Sequence, residues 1–338
     1  MSIKMSGFKI NRNILLVGIA LVLIIGGGIY WNMSKPQAKE HLIISTTTSL
    51  YETGVLDAIK PLFEAENPGY NVSFISQGTG LAIETAKNGD ADMILVHSPG
   101  QEKGFLETGY GVNRKLFAYN FFIIVGPESD PAGVKDLSPG DALQALYEEG
   151  LTGNALWVSR GDNSGTHSKE KGLWTAPGFD LDAIKAETLE SGEPWYIEAG
   201  AGMTATLQLA NEKEAYTLTD MATYLKNYKN GNIELVTIVG QGKETLNVYA
   251  AVLCNPEENP RGMYDAALLF MEYLLGEEVQ DMLVDYGVEE FGATLFKPWI
   301  PELETPDSEI VQWVEEYAFY EGTECPDEYR HLPGNLYD

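Results

Sequence analysis

The chain has 338 residues, enough for two lobes of ordinary domain size, and its apolar share of 44% is normal for a globular protein, so its acidity is not a mark of disorder. A formal net charge of -28 excludes a nucleic-acid partner, whose phosphates recruit Lys and Arg, and disfavours anionic lipid surfaces. It does not exclude a small anion, because exposed charges beyond about 8 to 10 Å are screened at physiological salt while donors lining a closed crevice are not.

Lys4, Lys9 and Arg12 precede an uncharged stretch, Ile14 to Trp31, that is just long enough to span a bilayer and ends in the interfacial pair Tyr30-Trp31. No A-x-A cleavage site follows it, and no nearby cysteine offers a lipid anchor. We read residues 13–31 as an uncleaved membrane anchor in preference to a cleaved signal peptide, with 1–12 a cytoplasmic stub and 32–40 a polar tether. In either case the rest of the chain is extracytoplasmic.

His41 to Ile44 reads as a strand, followed by Ser45-Thr46-Thr47-Thr48-Ser49 and a helix with Val55, Leu56, Ile59, Leu62 and Phe63 on one face. Tyr70 to Ser76 alternates as a strand and runs through Gln77-Gly78-Thr79-Gly80 into a second helix. Asn88-Gly89-Asp90 stops that helix before a strand at Ala91 to Val96. Phe117 to Val125 is a long apolar run, and Val134 to Glu149 reads as a helix.

Ala155 to Val158 is another strand. It ends in Ser159-Arg160-Gly161-Asp162-Asn163-Ser164-Gly165-Thr166-His167, which opens a helix. A strand that ends in a small-residue loop at a helix start leaves backbone N–H groups unpaired and turns the positive end of the helix dipole into a crevice, which is an anion site. Arg160 adds a permanent charge and a planar fork of donors, and Ser164 and Thr166 add hydroxyls, against one carboxylate, Asp162. An ordinary turn with capping Ser and Thr has the same look; repetition of the unit tips the reading toward a ligand. A fourth such junction, Tyr196 to Thr206, lacks the third glycine of the dinucleotide fingerprint.

Strands at Ala215 to Leu218 and Ile233 to Val239 flank a helix at Ala222 to Tyr228. Leu246 to Leu253 then forms a second long apolar run. Two such crossings make both lobes discontinuous, with 41–122 and 247–300 in lobe I, 123–246 in lobe II, and a hinge that closes around something small. Helices follow at Met263 to Leu275 and Glu277 to Tyr286. Residues 301–338 form an acidic, aromatic, partly helical extension with no assigned task.

Cys254 and Cys325 have no C-x-x-C pattern and no neighbouring His, which leaves a disulfide and two free buried thiols both open and argues against a metal site. A serine hydrolase using Ser164, with His97 or His167 as base, is the reading from another class. There is no G-x-S-x-G elbow, and His167 lies only three residues from Ser164.

The sequences T-T-T-S at 46–49, G-T-G at 78–80, S-R-G-D-N-S-G-T-H at 159–167, W-Y-I-E-A-G-A-G-M at 195–203 and A-Y-T-L-T-D at 215–220 together resemble the TupA-type tungstate-binding proteins, the solute receptors of tungstate ABC importers. The likeness runs from about His41 to Pro298. It implies an α/β, type II periplasmic-binding-protein fold, two α/β lobes joined by a two-crossing hinge, to which this chain adds the N-terminal membrane anchor and the extension. It also implies tungstate, or molybdate, as ligand, with no cofactor and no bound metal cation, a monomer, and an ABC permease as partner. Carried over by motif position, the oxyanion falls to Thr47, Ser49, Arg160 and Thr166, with Thr48, Thr79, Ser164, Met203 and Thr204 as further ligand-binding neighbours and Asp162, Gly78 and Gly80 in support.

A phosphate or sulfate receptor of the same fold is the runner-up, and Asp162 separates the two. Turned to the ligand, it would accept the proton that HPO4 keeps; turned to Arg160, it leaves only deprotonated oxyanions welcome. The two-residue spacing favours the clamp on Arg160.

Overall fold

Strands and helices alternate along the chain because each apolar run is followed by an amphipathic one. The computed structural model describes residues 39–190 and 194–337. The predicted membrane segment, its cytoplasmic stub and most of the tether lie outside the described residues. No helix among the described residues is long and apolar enough to cross a membrane.

In chain order the first elements are β1 (Glu40–Thr47), α1 (Thr48–Glu52), α2 (Val55–Glu66), β2 (Tyr70–Gln77), α3 (Thr79–Lys87), β3 (Met93–Val96), α4 (Pro99–Glu107) and β4 (Gly111–Gly126). Next come α5 (Pro139–Leu151), β5 (Trp157–Ser159), α6 (Gly165–Thr175), α7 (Leu181–Glu190), β6 (Tyr196–Glu198), α8 (Met203–Glu212), β7 (Thr217–Asp220), α9 (Met221–Lys229) and β8 (Val236–Val239). The chain closes with β9 (Leu246–Cys254), α10 (Tyr264–Leu275), α11 (Glu277–Asp285), α12 (Val288–Phe291), β10 (Lys297–Pro298) and α13 (Glu309–Ala318).

The first half of the fold is a sheet in the order β10-β4-β9-β3-β1-β2. β1 and β3 run parallel, as a crossover through a helix requires, while β9 enters antiparallel between β3 and β4. One face buries Leu42, Ile44, Met93, Leu95 and Tyr249 against Phe63 of α2 and Phe270 and Leu274 of α10.

β4 is buried along its whole length and belongs to both halves. It pairs with β9 up to Phe121, opposite Leu246, with β7 from Phe122, opposite Asp220, and with β8 near Ile124. β5 and β6 form a parallel pair beside β7. The core of this second half is aromatic, with Trp157, Trp174, Trp195 and Tyr196 packed edge to face around Leu143 and Leu146. Residues 41–338 form one unit.

The helix expected from Val134 begins at Pro139. The Asp130 carboxylate holds the amides of Val134 and Lys135 in a turn, and the Ser138 hydroxyl then caps the helix by accepting from Asp141 N.

The acidic segment after Pro298 is folded. α13 buries Val311, Val314 and Ala318 against Leu116 of β4, Leu246 and Val248 of β9, and Trp299 just after β10. Arg114 of β4, fully buried, donates through Nε to Glu102 Oε2 of α4 at 2.8 Å, with Nη2 in ion-pair contact with the same oxygen, and donates through Nη1 to the carbonyls of Ala318 and Glu324. Cys254 and Cys325 are both buried and free.

Candidate functional site

The S-T-T-T-S loop turns from β1 into α1 because Thr47 is extended and its hydroxyl accepts from Leu50 N, a capping arrangement. The G-T-G loop opens α3 from Gly78, and the arginine loop opens α6, where the Ser164 hydroxyl accepts from His167 N. α8 starts from Gly202. Each start presents first-turn amides without intrahelical acceptors.

These four turns meet. Arg160 Nη2 donates to Thr48 Oγ1 at 2.8 Å and Nη1 reaches Thr166 Oγ1 at 3.5 Å, which ties the arginine loop to α1. A Cβ built on Gly80 would lie 2.7 Å from Asn163 Nδ2, and one on Gly78 would lie 3.7 Å from Asp162 O, so the G-T-G loop touches the arginine loop at a distance that Gly80 alone permits. A Cβ on Gly165 would meet His97 Cε1 at 3.0 Å, which places the start of α6 against the end of β3. Gly202 faces Thr48.

The arginine loop itself is rigid. Gly161 is left-handed (φ 65) with Glu198 against it, and Asn163 is left-handed too (φ 58). At its base Glu170 accepts from Ser159 Oγ, Trp157 Nε1 and Tyr196 OH at 2.8 to 2.9 Å. Burial pushes the Glu170 carboxyl up, and those three donors pull it back.

Asp162 is turned onto the protein. Its Oδ2 accepts from Arg160 Nε at 2.9 Å and its Oδ1 from Ser164 N at 3.1 Å. Both oxygens of the one loop carboxylate are thus engaged, as the clamp arrangement expects. Ser164 serves as a cap and is buried.

Thr79 is fully buried and its hydroxyl has no partner among the described residues. Unmade hydrogen bonds of this kind cost about 1 to 3 kcal/mol, and a small-molecule oxygen would satisfy this one. Two of the expected residues contribute differently. Met203 packs its side chain into the core of Ile123, Val125 and Val158, so only its backbone can face a ligand. Thr204 donates its hydroxyl to Glu52 at 2.9 Å and so links the halves at the edge of the cluster.

The motifs did not bring forward a chain of side chains behind Ser49. Ser49 Oγ lies 3.0 Å from His97 Nε2, His97 Nδ1 lies 2.9 Å from Asn247 Oδ1, and Asn247 Nδ2 donates to Asn120 Oδ1 at 2.8 Å. The available signal was polar: Asn120 and Asn247 interrupt the two apolar crossing runs. Burial, and after it the charge of Arg160, lowers the His97 pKa to about 4 despite the bond from Asn247, so the ring is neutral at pH 7. Asp220 at the end of β7 is pushed up by burial against the Thr223 amide and hydroxyl and against Arg160.

Thr47, Ser49, Thr79, Arg160, Ser164, Thr166 and Met203 are all buried, so the cluster is closed over. Clefts of about 510 Å³, lined in part by Gln101, Lys169 and Tyr317, and about 430 Å³, lined in part by Glu52, Thr204 and Lys226, border it. Asp162 offsets Arg160, and three helices of ordinary length bring about +0.5 each, so the fixed charge around the cluster is about +1.5. Such a shell suits a small oxyanion. There is no cluster of His, Cys, Asp and Glu among the described residues that could hold a metal ion.

Residues 34–278 match the family model of a PBP superfamily domain. The chain is 42% identical over 266 residues, 77% of its length and 72% of the relative's, to a putative ABC transporter anion-binding protein of Haloferax volcanii. It is 37% identical over 269 residues to the tungstate-binding protein TupA of Peptoclostridium acidaminophilum, covering 79% of this chain and 88% of that one. Among solved structures, the tungstate ABC transporter protein of Geobacter sulfurreducens is 40% identical with a TM-score of 0.64, over 74% of this chain and all of that one. TupA of Desulfovibrio alaskensis G20 is 36% identical with a TM-score of 0.63, over 77% and 98%.

Proposed function

We propose that this chain, which belongs to the periplasmic-binding-protein superfamily and within it to the TupA-type tungstate receptors, captures tungstate between its two halves and delivers it to an ABC permease. It is a binding protein and not an enzyme, and it works outside the cytoplasm. In this reading the receptor is a monomer, and residues 13–31 tether it to the outer face of the membrane. A protein that stays with the membrane fraction until residues 1–40 are removed, and then runs as a monomer in gel filtration, would bear this out.

The observation that carries the ligand assignment is the turn of Asp162 onto Arg160 and Ser164 N. Held by Arg160 Nε and Ser164 N, that carboxylate is turned onto the protein, whereas HPO4 needs an acceptor turned to the ligand for the proton it keeps; a fully deprotonated tetrahedral anion needs only donors. Arg160, Thr79 and the amides at the starts of α3, α6 and α8 supply them, with Thr47, Thr48, Ser49 and Thr166 around the same cavity. Molybdate has the same charge and shape and binds the same site. Sulfate and phosphate remain the runners-up.

Titration calorimetry of residues 41–338 with tungstate, molybdate, sulfate and phosphate tests this. Tungstate and molybdate are expected to bind and phosphate not to. Arg160→Ala is expected to weaken tungstate binding at least about 100-fold, in keeping with loss of a buried charge-assisted contact, and to lower the unliganded melting temperature because Asp162 loses its partner, so the variant's fold is checked by circular dichroism. Phosphate binding as tight as tungstate, or undiminished binding by Arg160→Ala, would overturn the assignment.

A further inference from the structure

The hydrogen-bond chain behind Ser49 has a direction, and a backbone carbonyl sets it. Leu295 O can only accept, so Asn120 presents Nδ2 to it, at 3.1 Å, and Oδ1 to Asn247. Asn247 Nδ2 fills that Oδ1 and also reaches Tyr249 OH at 3.0 Å, so Asn247 Oδ1 faces His97 Nδ1, which must carry the ring hydrogen. In a neutral ring Nε2 is then a bare lone pair, and the Ser49 hydroxyl donates to it. Ser49 Oγ in turn faces Thr47 Oγ1 at 3.4 Å, and Thr47, which already accepts from Leu50 N, is the donor there. Both hydroxyl hydrogens therefore point along the chain, and Ser49 offers the cavity only lone pairs. That polarity repels an anion with no proton of its own.

We propose that His97 is a positioning residue that makes capture of a fully deprotonated oxyanion proton-linked: Nε2 takes one proton from solvent as the anion enters, and the Ser49 hydroxyl turns from His97 to the anion. This rests on the tungstate reading above. The balance is simple, because Nε2–H replaces Ser49 O–H in their shared hydrogen bond and no other bond changes. The charge fits as well. The fixed charge of about +1.5 falls short of a dianion, and a proton on His97 more than makes up the difference.

The groups around His97 leave this open. Arg160 opposes the proton until the anion arrives, an opposition that Asp162 and Asp220 beside it soften, and Tyr249, Phe122 and Gly165 pack on the ring without charge at pH 7. In the free protein His97 titrates near pH 4, well below the working range, so above pH 5 it binds its proton only with the ligand.

The test is calorimetric titration of residues 41–338 with tungstate between pH 5 and 8, in pairs of buffers with different ionisation enthalpies. The expected result is uptake of up to about one proton at the acidic end, declining to none as pH passes the liganded His97 value, with Kd rising up to about tenfold per pH unit inside that window. His97→Gln, which cannot titrate, is expected to bind tungstate with no uptake and a Kd that is flat with pH. Tight tungstate binding with no proton uptake anywhere in the range, or uptake that persists in His97→Gln, overturns the proposal while leaving the receptor assignment intact. Absence of tungstate binding at any pH overturns the receptor assignment itself.

Discussion

Arg160 shows how far single residues can be read ahead of a structure. Its fork and charge were visible in the R-G-D-N-S-G-T run, and so was a carboxylate two positions on that could hold it; the choice between clamp and acceptor needed the coordinates of Asp162. Hydroxyls were harder. A threonine in a loop can cap, bridge or wait for a ligand, and the sequence writes all three alike: Thr47 caps, Thr204 bridges to Glu52, and Thr79 is buried with no partner among the described residues. Thr79→Val keeps the shape and removes the donor. We expect tungstate Kd to rise about 5- to 30-fold, the worth of one hydrogen bond to a charged group. The unliganded melting temperature should hold or rise slightly, because no protein contact is lost. Binding equal to wild type would place Thr79 outside the contact shell.

At the scale of elements, periodicity located most strands and helices, because long apolar runs bounded by glycine leave few choices. It failed where side chains override it, as at Val134, where Asp130 holds a turn before Ser138 starts α5. The task of the last segment was not legible, since its partners are far away in sequence. Arg114 is locked between Glu102 of α4 and two carbonyls of the C-terminal segment, which makes that segment part of the core and not an appendage. Arg114→Met strands the buried Glu102, and we expect it to cost about 3 to 5 kcal/mol in urea unfolding. Adding Glu102→Gln should restore a large part of that, because the uncompensated charge goes. A double variant no better than the single would show that the carbonyl contacts, and not the ion pair, hold the segment down.

For the whole molecule, composition excluded nucleic acid but was silent about the ligand. A net charge of -28 surrounds a buried cluster of hydroxyls and helix starts around Arg160 that is locally positive. Screening reconciles the two, and it also bears on stability. The visible ion pairs are mostly exposed, such as Lys103–Glu107 and Lys243–Glu316, and such pairs contribute little, so net repulsion dominates the surface. Raising sodium chloride from about 0.02 to about 0.5 M should therefore raise the unliganded melting temperature by several degrees. A fall would mean that the ion pairs outweigh the repulsion. Closure of the pocket had no signature in the sequence, because burial of a loop depends on where a distant loop lands. β4 passes unbroken from one half to the other, with its pairing to β9 ending at Phe121 and its pairing to β7 beginning at Phe122. Neither half can then swing loose. Any parting must be absorbed in that shared ribbon around Phe121 and Phe122, so the two halves open and shut about one short stretch of backbone.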